Sequence, residues 1–238
     1  MLKMMWCLVV TAAVAETETA GSYDELLARI EARRMVIAQR CRMAGDAGLK
    51  ERIVEEAGQV LESVLVRDIW PRWLGTPWDF NGISERPGEG EIACGYFVTT
   101  CLRDAGFELS RYELARLPSE TMIARLVGKE RVRRFSNVSM EVFLSRLLAS
   151  GDGVYLVGLD CHTGFLLVRN GKVEFCHSSY VGSSCVTIEP AGQSAPLVTS
   201  RLRVVGRITP DAELVRAWLE KRRVGCTPGA GPAQIEGY

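Results

Sequence analysis

Neither sign of charge is in excess in this chain of 238 residues, where 29 lysines and arginines meet 29 aspartates and glutamates with no long run of either. A nucleic-acid groove or an anionic membrane surface needs a concentrated basic field, so neither is expected as the main partner. Long hydrophobic runs are scarce as well. The only one that outlasts an ordinary strand, Met4 to Ala15, is too short to cross a bilayer core of roughly 30 Å, and no stable membrane anchor is expected. A glycine-rich phosphate loop between a strand and a helix is missing, and so is any internal repeat; no cofactor is expected. Histidine is reduced to two residues, His162 and His177, so any imidazole chemistry falls to them.

What is present begins with that short apolar run. It follows Lys3 and closes on Ala13-Val14-Ala15 before Glu16, the small-x-small pattern of a signal peptidase site. Residues 1–15 therefore read as a cleaved secretory signal, and the chain as exported, periplasmic or secreted. Cys7 has too few apolar residues ahead of it for a lipoprotein signal. Removal of the signal leaves seven cysteines: Cys41, Cys94, Cys101, Cys161, Cys176, Cys185 and Cys226. An odd number in an oxidising compartment leaves at least one thiol without a partner inside the chain.

Helical periodicity comes first along the mature chain. Ser22 with Glu25 has the form of a capping box ahead of a helix near 23–42, and Ala44 to Gly48 breaks it. A second helix follows from about Ile53 to Trp70, where Pro71 intervenes, so 22–72 reads as a helical hairpin. The stretch from Gly75 to Gly90 is rich in turn signals. Ala93 to Ala105 reads as a helix with Cys94, Phe97, Val98, Cys101 and Leu102 on one face. A further helix covers Met140 to Leu148. Beyond Gly151 the period shortens to that of strands, at 154–159, 163–169, 172–177, near Val186 and at 201–208. Thr209-Pro210 opens a last helix to about Lys221, and 223–238 reads as a flexible tail. Helices followed by an antiparallel sheet make an α+β fold.

Asn170-Gly171 between two strand-like runs is the strongest short hairpin signal there is. With those residues as the loop, Arg169 pairs with Lys172 and His177 lies opposite Gly164. His162 then shares the face of His177 on the diagonal, at roughly 7 Å by strand spacing. Two imidazoles so placed can share a hydrogen bond. Cys161-His162 and Cys176-His177 also invite a zinc reading, but neighbouring strand residues point to opposite faces, so no metal site is expected.

Cys94 follows the glycine-rich loop and begins a helix, where free N–H groups and the helix dipole lower a thiol pKa. Beside an imidazole it would be a nucleophile, with His162 as acid and base, His177 fixing the tautomer, and the Cys94 N–H contributing to an oxyanion hole. Its phase with Phe97, Val98 and Cys101 equally permits a plain core position.

Gly75-Thr76-Pro77-Trp78, Asn81-Gly82-Ile83-Ser84 and Ala93-Cys94-Gly95-Tyr96-Phe97-Val98 together resemble the nucleophile segment of the NlpC-type bacterial cell-wall cysteine peptidases. His162-Thr163-Gly164-Phe165-Leu166 is similar to that family's histidine strand, and Phe175 to Ser179 to the segment that follows it. The resemblance covers about 75–107 and 154–180. It implies a papain-like domain over 75–222, catalysis by Cys94, His162 and His177, and hydrolysis of an amide bond in a peptidoglycan stem peptide. Trp78, Asp79, Asn81 and Tyr96 are the residues expected around the substrate. The family's Asp before the cysteine is Ala93 here, its Ser-Gly after it is Gly95-Tyr96, and Trp78 stands for a tyrosine. An amidase or acyltransferase acting on another substrate therefore stays open, as does an exported binding module in which Cys94 is inert.

Overall fold

The computed structural model describes residues 21–226. The signal segment 1–15 and all but the first residues of the tail lie outside them. Helix α1 (Tyr23–Met43) opens on the capping box: Ser22 Oγ accepts from the Glu25 N–H, and the Glu25 carboxylate accepts from the Ser22 N–H. Helix α2 (Ala47–Ser63) is capped by Asp46, which accepts from the Leu49 N–H.

The helical stretch does not stop before Pro71. It widens into a π turn (Val64–Ile69), in which the Trp70 N–H donates to the Leu65 carbonyl, and continues as α3 (Trp70–Trp73). A proline in regular α register strikes the carbonyl four residues back. The π turn directly ahead of Pro71 displaces that carbonyl, and Trp70 and Trp73 are carried into full burial.

Next come α4 (Cys94–Asp104) and three elements for which the sequence between 107 and 139 shows no clear period: α5 (Arg111–Ala115), α6 (Ser119–Val127) and strand β1 (Arg133–Ser136). Then follow α7 (Met140–Leu148), β2 (Gly153–Gly158), β3 (Thr163–Arg169), β4 (Lys172–Ser178), β5 (Val186–Pro190), α8 (Ala195–Thr199), β6 (Leu202–Arg207) and α9 (Ala212–Glu220). The cap of α9 is Asp211 rather than the Thr209-Pro210 pair; its side chain accepts from the Leu214 N–H. After it, the Val224 N–H donates to the Glu108 carbonyl, so the chain is still held at 224.

The fold is α+β, with a six-stranded antiparallel sheet in the order β1-β6-β2-β3-β4-β5. In the β3–β4 hairpin Arg169 pairs with Lys172 and Phe165 with Cys176. Asn170 (φ 52°) and Gly171 (φ 73°) take the left-handed conformation that a two-residue turn of this type demands. Leu156, Phe165, Leu167 and Cys176 face a core shared with α1, α2, α4, α6 and α9, while Leu166, Val168 and Phe175 face a second core closed by α7. Helix α6 lies close on β2 and β6 because both present glycine there. A Cβ on Gly206 would come within 2.6 Å of Ile123, and one on Gly158 within 2.5 Å of Ser119 Oγ.

Candidate active site

Cys94 is the first residue of α4, and the loop before it is anchored on several sides. The Ile92 N–H donates to the Pro77 carbonyl, the Ala93 N–H to the Gly82 carbonyl, and Ser178 Oγ at the end of β4 donates to the Ile92 carbonyl at 2.6 Å. Arg111, buried in α5, ties this loop to the helix. Its Nε donates to Thr100 Oγ1 at 2.6 Å and its Nη2 to the carbonyls of Ile83 and Ser84 at 2.8 and 2.7 Å. Its guanidinium lies 4.8 and 5.0 Å from the ring centroids of Tyr96 and Tyr112, which themselves meet edge to face, so it makes a cation–π contact with the tyrosine pair. Gly95 is required where it stands, since a Cβ there would meet the Ala115 carbonyl oxygen at 2.5 Å.

A cleft runs across the N-terminus of α4. Cys94, Gly95, Cys161 and His162 line both of its lobes. The larger, about 740 Å³, is walled by Trp78, Phe80, Asn81, Tyr96, Arg116 and Tyr180. The smaller, about 460 Å³, has Leu117, Met122 and Leu202 with Ser119, Glu120 and Asp160. Of the sequence-expected substrate residues, Trp78, Asn81 and Tyr96 thus meet in one lobe. Asp79 does not line it: its carboxylate accepts the Asn81 N–H at 2.7 Å and shapes the turn.

Behind the cleft, His162 Nε2 is 2.8 Å from His177 Nδ1, with the two rings edge to face. Gly164 makes room for this pair, because a Cβ there would sit 2.6 Å from the Phe175 ring and 2.8 Å from His177 Cβ. Phe175 stacks on His177 at 4.0 Å between centroids and fixes its plane. On the far side, His177 Nε2 is 3.2 Å from Glu189 Oε1. Tyr180 sets its ring edge-on to His162 at 5.1 Å. With Nε2 engaged, the His162 nitrogen left for the cleft is Nδ1.

Burial holds both imidazoles well below the ordinary histidine range, His162 to about 3 and His177 to about 4; for His162 the charge of His177 adds to the effect. The thiol differs from the sequence expectation. Burial raises the Cys94 pKa, and the backbone N–H groups of Thr163, Gly95 and Cys94 itself, which lower it, do not compensate. A neutral thiol and a neutral imidazole therefore line the same cleft. That arrangement can deliver a nucleophile only by moving the proton as sulfur attacks.

Among the described residues seven thiols are free, and no disulfide joins Cys41, Cys94, Cys101, Cys161, Cys176, Cys185 and Cys226. Cys176 points away from His177 into the core below α4, as alternation requires. Cys161 does not point away, because it lies in a bend before β3 and is exposed on the cleft. Among the described residues no group of three His, Cys, Asp or Glu is placed to hold a metal ion. Sequence reasoning missed Glu189, Tyr180 and the wall provided by α6; the irregular segment between β4 and β5 hides the register that brings Glu189 to His177. Comparison with protein-family models, with curated proteins and with solved structures finds no match to this chain.

Proposed function

We propose that this protein is a papain-like cysteine hydrolase, similar to the NlpC-type peptidases, that cleaves an amide through an acyl-enzyme. The observation that carries the reading is that a helix-initial thiol and His162 line one cleft, with the fully buried His177 bonded to His162. As the Cys94 sulfur bonds to the substrate carbonyl carbon, its proton passes to His162 Nδ1. The oxyanion is met by the Cys94 N–H at the helix start. His162 returns the proton to the leaving amine, and water, activated by the same nitrogen, releases the acid. His177 accepts from His162 Nε2 throughout and keeps the ring in line.

The substrate proposed first is a peptidoglycan stem peptide, which export through the 1–15 signal would bring within reach. Digestion of purified sacculi by wild type, with Cys94→Ala unable to digest, supports it; identical muropeptide profiles for the two remove the cell-wall assignment. A second reading, an amidase or acyltransferase for a more apolar acyl group, is favoured by the aromatic lobe. Arg116 is the one residue of fixed charge in its lining, and Phe80, 78% exposed, stands at its rim. An amine in place of water would then take the acyl group.

A further inference from the structure

We infer that Glu189 is a positioning residue of this site: through His177 it sets which ring nitrogens carry protons and leaves His162 Nδ1 bare toward Cys94. The inference rests on the Cys94–His162 reading above.

Two neutral imidazoles joined by one hydrogen bond can be protonated in two ways, because either ring can donate. Only one way leaves a base facing the thiol. If His177 donates from Nδ1, its Nε2 is a lone pair and His162 must carry its proton on Nδ1; the nitrogen facing the cleft is then useless as a base. If His162 donates from Nε2, its Nδ1 is free. The atom that decides is Glu189 Oε1, 3.2 Å from His177 Nε2. An ionised carboxylate can only accept, so it holds a proton on His177 Nε2, and in a neutral ring that makes Nδ1 the acceptor for His162.

The backbone prepares this contact. In the β4–β5 register Glu189 faces Phe175 and Thr187 faces His177, so Glu189 reaches His177 on the diagonal, as His162 does from the other side. Phe175, stacked on His177, prevents the ring from turning out of the line. Among the described residues Glu189 pairs with no lysine or arginine, so its charge is directed at the imidazole alone. When His162 gains the thiol proton at Nδ1, nothing further along the chain has to move: His177 still accepts from Nε2 and donates to Glu189, whose charge favours the imidazolium.

Because the chain has two histidines, nitrogen-15 labelling of histidine shows two imidazoles only. In the full-length protein at about pH 7, where both rings are neutral, each is expected as the Nε2–H tautomer. A proton on His162 Nδ1 in wild type overturns the inference, whatever any variant does. In Glu189→Leu the Nδ1–H form of His162 is expected to appear, and acylation of Cys94 by p-nitrophenyl acetate to slow at least about tenfold. Glu189→Gln, which can still offer an oxygen, is expected to fall between the two. Unchanged tautomers and rate in a folded Glu189→Leu protein also overturn it. Failure of wild-type Cys94 to acylate removes the catalytic reading, while the tautomers still report on Glu189; rapid acylation with His162 protonated on Nδ1 removes the Glu189 inference and His162 Nδ1 as the base, and leaves Cys94 as nucleophile.

Discussion

His162 Nε2 and His177 Nδ1 stand 2.8 Å apart on a diagonal of the β3–β4 hairpin. Their approach is made possible by a residue that is absent in the ordinary sense, the side chain of Gly164, and it is buried so completely that His177 has no exposure at all. Burying two imidazoles costs free energy unless they satisfy one another. Here His162 Nε2 and both nitrogens of His177 find partners, and His162 shares the lining of the cleft with Cys94.

Gly164→Ala is expected to destabilise the protein by about 2 kcal/mol, since its Cβ would overlap Phe175, the Cys176 carbonyl and His177 Cβ at 2.6 to 2.8 Å. Chemical denaturation measures the loss. The same variant is expected to break the His162–His177 hydrogen bond, seen as altered imidazole nitrogen-15 shifts.

Stability is expected to fall as pH drops below the ordinary histidine pKa of about 6.5, and to continue falling toward about 4. In that window the unfolded chain binds protons that the folded histidines refuse, so stability rises with pH there. The slope is about 1.4 kcal/mol per pH unit for each histidine. Replacing His177 by Gln is expected to flatten the wild-type curve by one such contribution, whatever its effect on the absolute stability.

The rate of Cys94 acylation is expected to hold down to roughly pH 4 and to fail below it, as His162 takes a proton at about 3. An enzyme relying on an unperturbed imidazole would lose its rate near 6.5. A pH-jump measurement separates this acid limb from slower unfolding.

Arg111→Lys is expected to cost about 3 kcal/mol, because lysine cannot at once reach Thr100 and the carbonyls of Ile83 and Ser84 while lying against the Tyr96–Tyr112 pair. The loop over 78–92 is then expected to be cleaved faster by added protease than in wild type. Equal cleavage rates would assign Arg111 no part in holding the wall of the larger lobe.

Much of the site is legible in the sequence because it is local. Asn170-Gly171 sets the hairpin register, and register alone brings His162 to His177; the capping box at Ser22 and the apolar stripe after Cys94 place two helices. The remainder depends on contacts between distant segments. Pro71 reads as a helix end since nothing local announces a π turn. Helices α5 and α6 are short, and α5 buries an arginine at a position where apolar spacing looks for a hydrophobe. Burial of the Cys94 thiol comes from α5 and from the start of β3, neither of which its neighbours in sequence reveal; the helix start suggests a lowered pKa, and the surroundings raise it. Glu189 is set by a strand whose register follows an irregular connection.

The most direct test of the nucleophile and base is a competition among cysteines in one chain. Wild type is treated with limiting p-nitrophenyl acetate at about pH 7 and the acetylated peptides are read by mass spectrometry, with exposed Cys161 and Cys226 as internal references. Acetylation of half-buried Cys94 at least about tenfold faster than either reference, lost in His162→Ala, is the expected result. Preference for Cys161 or Cys226 in both proteins would contradict it and leave Cys94 a structural thiol.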